Sequence, residues 1–295
     1  MRLKRGEPEQ IDRLRELSEA FRPAAPIERK ALFSGRTAQL GDLFAVADQP
    51  GQHALVYGER GVGKTSLVVV AGQTLAAADV RIARATCDRS DDFESVWTKA
   101  LDEMQYTMSR PGIGFGGQTR EARVGGGKLL RADAAPHDVL RALEALTGQG
   151  RAMVFIDEFD RLAVSEARLL FADTIKTLSD RLPNVTVVLV GVADDAAELI
   201  EEHRSIERAL RTIHMPRMSH GELSQIVERG IAEARLTIEP DAVAEIATLA
   251  DGFPHYAHLL GQESGRVALE DLRAHVTPDD VRTAASDAFG SAASL

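Results

Sequence analysis

The stretch HALVYGERGVGKTSLVVV, residues 53–70, runs from an apolar strand through a glycine-rich turn into a helix. It satisfies the spacing G-x-x-x-x-G-K-[S/T] with Gly58, Gly63, Lys64 and Thr65, and Gly61 adds another glycine inside the turn. That order of elements has a physical use. A triphosphate needs many donors in a small space; glycines let backbone N–H groups face the phosphates, and the positive end of the following helix is directed at them. The run Gly58, Glu59, Arg60, Gly61, Val62, Gly63, Lys64, Thr65 and Ser66 is therefore the candidate nucleotide cradle. Lys64 is expected to reach the β and γ phosphates, and Thr65 to bind Mg²⁺ through its hydroxyl.

A second motif lies downstream. AMVFIDEFD, residues 152–160, is an apolar strand ending in Asp157 and Glu158. Ligands bind at the carboxyl ends of strands in open parallel sheets. Asp157 is placed to hold Mg²⁺, and Glu158 to polarise the water that attacks the γ phosphate. Asp160 and Arg161, just beyond, read as structural.

Outward from these motifs the chain alternates. Strands are expected at 53–57, 80–86, 152–156 and 185–190, a fifth at 212–218, and helices after Gly63, over 91–106 and over 165–181. Most of the strands are apolar throughout, which predicts an α/β fold: a parallel five-stranded sheet with helices on both faces. After Pro216 only helical patterns remain, and Ser219, Glu239-Pro240 and Thr277-Pro278 mark three helix starts. The expected organisation is a helical arm and linker over 1–30, a sheet domain over 31–216 and a small all-helical lid over 217–295. Seven glycines between Met108 and Lys128 make regular structure costly there, so a mobile loop is expected at 108–128. It reads either as a flexible insertion or as a segment that orders on a partner or nucleic acid. Trp97 and Tyr106 read as core rather than base-stacking groups.

The formal charge of −10 argues against a surface that is basic throughout, as in broad nucleic-acid binders. The first 36 residues carry nine Lys or Arg against six Asp or Glu, which fits a solvated arm or an electrostatic contact. Cys87 is the only cysteine, so no intrachain disulfide forms, and a cytoplasmic location is expected. No apolar run approaches membrane-spanning length, and no apolar stretch follows the basic start, so neither a membrane anchor nor a signal peptide is expected.

From about Phe33 to Ala288 the chain resembles the AAA+ superfamily of ATPases, within it the initiator branch related to origin-recognition ATPases. The resemblance implies ATP with Mg²⁺ as cofactors and hydrolysis completed at a subunit interface. LFSGR, residues 32–36, is similar to the element that lies near the adenine in that branch, making Ile27, Phe33 and Arg36 candidates for the base pocket. In VLVGVADD, Asp194 takes the slot of a polar γ-phosphate sensor, where asparagine, serine or threonine is expected; the alternative is a helix N-cap. Arg208 matches the position of an arginine finger that reaches a neighbouring subunit, or forms a basic face with Arg204 and Arg211. In GFPHYAHLLG, His255 holds the slot of a second sensing arginine, or belongs to helix packing.

The implied assembly is a nucleotide-dependent homo-oligomer that regulates or loads a protein partner acting on DNA, with direct DNA binding left open. The alternative is a nucleotide-controlled signalling or anti-phage defence switch.

Overall fold

The computed structural model describes residues 8–23, 33–110, 120–162, 165–193, 206 and 208–290. Its contacts divide into two compact units: Thr37–Glu59 with Ala71–Met215, and Met1–Arg36 with Arg60–Val70 and Pro216–Leu295.

The first unit is built on a five-stranded sheet of β1 (His53–Gly58), β2 (Arg81–Thr86), β5 (Ala152–Asp157), β6 (Val185–Val192) and β7 (Leu210–His214), in the order β2-β5-β6-β1-β7. Every pairing in it is parallel. The apolar run of β5 is buried except at Asp157, whereas β2, at one edge, alternates buried and exposed residues, as edge position requires. Leu55, Val154, Ile156, Val187 and Leu189 of the sheet share one core with α4 (Phe93–Asp102), α5 (Pro136–Thr147) and α6 (Ser165–Arg181). Trp97 stacks on Phe171 in that core, centroids 5.7 Å apart, as its core reading predicts. On the other face lies the end of α3 (Lys64–Ala76), where a side chain at Gly72 would meet Ile82 and Phe155. The α2 helix (Thr37–Asp48), which sequence reasoning missed, lies along β1 and β7.

The second unit gathers the C-terminal helices α7 (His220–Glu233), α8 (Pro240–Leu249), α9 (Pro254–Glu270) and α10 (Pro278–Gly290). Ser219 and Glu222 close a capping box at the start of α7, and Pro240 and Pro254 open α8 and α9. The N-terminal helix α1 (Pro8–Ala20) is part of this core rather than a solvated arm. Leu17 and Phe21 are 1% exposed, and the Phe21 ring lies where side chains at Gly230 and Gly261 would stand. Bare backbone on two helices makes the slot that an aromatic ring fills.

Three expectations need correction. The glycine-rich segment is a hairpin, β3 (Gln105–Arg110) paired antiparallel with β4 (Arg120–Gly125), and only residues 111–119 lie outside the described part. Gly126 and Gly127 are buried against the end of α4, where any Cβ would stand under 3.0 Å from Leu101, Leu146, Thr98 or Asp102 atoms. Glycine there serves close approach. The lid is not all helical, because β8 (Thr237–Ile238) and β9 (His275–Val276) run side by side and satisfy each other's backbone groups. The last sheet strand ends at His214, so Pro216 to Met218 lie beyond it.

Candidate functional site

In β1 the chain reaches Gly58 with φ +148°, and a Cβ there would lie 2.3 Å from the Met215 carbonyl oxygen. Gly61 (φ +87°) and Gly63 (φ +96°) also adopt backbone that favours glycine. Glu59 and Arg60 are exposed and Val62 is fully buried. The loop thus turns one apolar side chain inward and leaves its remaining backbone to the turn. Lys64 opens α3 and is 8% exposed, Thr65 is exposed, Ser66 is half-buried, and the Leu67 amide donates to the Gly63 carbonyl at 3.1 Å. Glycines at positive φ, a buried lysine and a helix start bring many donors close together, so the residues present fit a polyphosphate.

Arg36 departs from its expected place. Its guanidinium donates to the carbonyl of Val62 at 3.1 Å and to that of Pro216, and its backbone N–H donates to Glu222 Oε1 at 3.1 Å. The residue is 3% exposed. Its Nη2 is directed to two main-chain carbonyls, so it holds the phosphate loop from behind, while its buried Nε has no partner among the described residues. Burial lowers its pKa and the Glu222 charge opposes that. Burial pushes Glu222 upward, but the Ser219 and Arg36 amides and the Arg36 charge outweigh it and leave the carboxylate below its ordinary range. The neighbouring residues follow the same helix: Ser34 Oγ donates to Gln225 at 3.2 Å, and Arg229 donates to the carbonyl of half-buried Phe33 at 3.3 Å. Glu222, Gln225 and Arg229 form one stripe of α7, and the chain from Phe33 to Arg36 is laid along it. Gly35 (φ +69°) permits this, because a Cβ there would stand 2.6 Å from the Glu222 carboxylate. Ile27 lies outside the described residues.

His255 stands beside the loop: a Cβ on Gly61 would be 3.3 Å from its ring and 3.5 Å from Phe253. Its ring also packs on Tyr256, centroids 4.0 Å apart, as the packing reading expects. Arg217, which the sequence reading passed over, lies over the Phe253 ring at 4.6 Å and pairs with Asp251 at 2.7 Å.

At the carboxyl edge of the sheet, Asp157 ends β5 and accepts a hydrogen bond from the Glu158 amide at 2.8 Å. Glu158 takes left-handed backbone (φ +54°), which turns the chain sharply at the strand end. Its carboxylate pairs with Arg161 at 3.0 Å. Asp160 accepts from the Val192 amide at 2.8 Å, fastening the turn to the end of β6. Asp160 is thus structural, as expected, while Arg161 is a neighbour of the proposed catalytic carboxylate; its i,i+3 spacing from Glu158 was the available signal.

Arg208 is exposed in the turn before β7. Arg211 lies on β7 and pairs with Asp42 at 2.6 Å, so these two do not share a helical basic face; Arg204 and Asp194 lie outside the described residues.

Residues 20–269 match the family model described as nSTAND1, Novel STAND NTPase 1. An ORC1-type DNA replication protein of Halobacterium salinarum is 27% identical over 243 residues, covering 79% of this chain and 58% of that protein, so the chain spans little more than half of that relative's length. Among solved structures, ORC1 of Aeropyrum pernix in complex with DNA aligns with TM-score 0.60 at 19% identity over 86% of this chain and 65% of that one. The RuvB Holliday junction branch migration motor of Thermotoga maritima aligns with TM-score 0.54 at 17% identity over 88% of this chain and 72% of that one. At these identities the structural likeness concerns the fold, a parallel sheet followed by helices as in AAA+ proteins.

Proposed function

The chain belongs to the Novel STAND NTPase 1 family of P-loop NTPases, and from that premise we propose that it binds and hydrolyses ATP with Mg²⁺ as a nucleotide-dependent oligomer. The observation that carries this reading is the turn in which Gly61 and Gly63 take positive φ directly before a buried Lys64 at a helix start. When bound, Mg-ATP supplies the electrophilic phosphorus and the charge that stabilises the leaving group. Lys64 and the loop amides neutralise phosphate oxygens, Thr65 and Asp157 hold the metal, and the Glu158 carboxylate takes up the proton of the attacking water. His255 donates to a phosphate on this reading, and Phe33 borders the base.

Arg208 completes the site of a neighbouring copy. Its support is its exposure and the match of its segment to a finger position, and guanidinium suits the role because it stays charged and spreads its donors over several oxygens. Turnover per chain should then rise with protein concentration, and Arg208→Ala should flatten that rise while ATP binding persists. A rate per chain independent of concentration, or unchanged in Arg208→Ala, contradicts the interface reading.

The oligomer's work is proposed to be regulating or loading a partner that acts on DNA, which the similarity to the Halobacterium ORC1-type protein supports. A second reading, a nucleotide-controlled signalling or defence switch, is favoured by a different observation. Arg36 ties the phosphate loop to Glu222 on α7, so the loop and the helical unit respond together. ATPase assays with added DNA separate the two: stimulation that fades with salt supports the loader, and indifference to DNA supports the switch.

A further inference from the structure

The backbone of Glu158, at φ +54°, is one that a residue with a side chain holds only when its surroundings fix it. Directly after it the chain makes a single 3₁₀ turn, Phe159–Arg161, too short to satisfy all of its own carbonyls. The Arg161 amide donates to the Glu158 carbonyl at 2.9 Å, and the Leu162 amide to that of Phe159 at 3.2 Å. The carbonyls of Asp160 and Leu162 are taken by one side chain from outside the turn. Half-buried Arg168, on α6, donates to Asp160 through Nη2 at 3.1 Å and to Leu162 through Nε at 3.1 Å.

An apolar contact from the same helix reinforces this hold. Phe159 is 1% exposed and meets Phe171 of α6 edge-on, centroids 5.3 Å apart at 87°. The Arg168 guanidinium lies 6.0 Å from the Phe159 ring centroid. Residues 168 and 171 are neighbours on one helix face, so α6 grips the turn with a cation and with a ring. From the sheet, the Val192 amide ties Asp160 to the end of β6.

We propose that Arg168 is a positioning residue for hydrolysis: by closing two carbonyls of the turn after β5, it fixes the direction in which the Glu158 carboxylate points. The inference deepens the hydrolysis reading and rests on Glu158 as the base. Arg168 acts through the turn, since its Nε and Nη2 go to main-chain carbonyls and the Glu158 carboxylate pairs with Arg161 instead. Guanidinium suits the place because Nε and Nη2 form a rigid fork that spans two acceptors, whereas a lysine ammonium is a point donor on a flexible stem. A base displaced by about 1 Å loses about a hundredfold in rate although ATP is bound as before. Contacts that served stability alone would lower the unfolding midpoint and leave the rate of the folded chain intact.

The test compares the full wild-type chain with Arg168→Met, which keeps the stem and the helix propensity but removes the donors, and with Arg168→Lys. Hydrogen exchange without nucleotide follows the peptide from Glu158 to Leu162. Exchange there quickens at least about tenfold in Arg168→Met, while β5 and β6 keep wild-type protection. Steady-state hydrolysis with Mg²⁺ shows kcat lowered about tenfold to a hundredfold, with KM and calorimetric ATP affinity within about twofold of wild type. Arg168→Lys falls between the two chains in both readouts, and it carries the test if Arg168→Met does not fold. A wild-type kcat in either folded variant, unchanged exchange at the turn, or a loss confined to ATP affinity or to the urea midpoint overturns the proposal. Wild type that binds ATP but releases no phosphate is a failure of the hydrolysis reading, and the proposal falls with it; wild type that turns over beside an unaffected variant is a failure of the proposal alone.

Discussion

The Arg36 guanidinium donates to the Val62 carbonyl at 3.1 Å, so the phosphate loop is held from its buried side by a cation 26 residues earlier in the chain. This makes loop geometry depend on the segment laid along α7. Arg36→Ala strands the Val62 and Pro216 carbonyls and is expected to cost about 2 kcal/mol or more. It is also expected to weaken ATP binding without touching a phosphate. Urea unfolding and calorimetry on the same samples check both, and an unaltered ATP affinity in a folded Arg36→Ala chain contradicts the clamp.

Glu158 is the residue on which turnover should depend most sharply. Glu158→Gln keeps the shape and the backbone turn but cannot accept a proton, so the rate is expected to fall about a hundredfold or more while ATP binding persists. Phosphate release under saturating ATP measures it. Undiminished turnover removes Glu158 from the mechanism.

Phe21 fastens the N-terminal helix to the lid. Phe21→Ala empties a slot floored by Gly230 and Gly261 and is expected to destabilise the helical unit by about 3 kcal/mol or more. The unfolding midpoint in urea reads this directly. A change below about 1 kcal/mol indicates that α1 contributes little to this core.

Two buried histidines set the acid limit. Desolvation lowers His53 and His258 to about 4, while an unfolded histidine titrates near 6.5. The folded state therefore binds fewer protons than the unfolded state between those values, and stability is full above about pH 6.5 and declines as pH falls toward about 4. His53 Nδ1 accepts from the Val187 amide at 2.9 Å, so protonation also breaks a buried bond. His258→Leu should flatten part of the slope in urea unfolding between those pH values. An unchanged slope places the acid sensitivity elsewhere.

The sheet and the phosphate loop were legible because their signals are local: continuous apolar runs at 152–156 and 185–190, and a glycine spacing followed by Lys64. Three of the four lid helices announced themselves through Ser219, Pro240 and Pro278. The α5 helix was missed although Leu140, Leu143 and Leu146 recur at helical spacing after Pro136. The β3–β4 hairpin was hidden because Gly126 and Gly127 are required by close packing on α4, which a composition reading mistakes for looseness. The role of Arg36 was out of reach for another reason. Its partners Val62, Pro216 and Glu222 lie far along the chain, and no spacing rule joins them.

The most direct measurement is a calorimetric titration of ATP with Mg²⁺ into wild type and Lys64→Ala at equal concentration. Saturable heat in wild type that is lost, or weakened at least about tenfold, in a folded Lys64→Ala chain is the predicted result. Equal binding in both chains, or no heat in either at millimolar nucleotide, contradicts it.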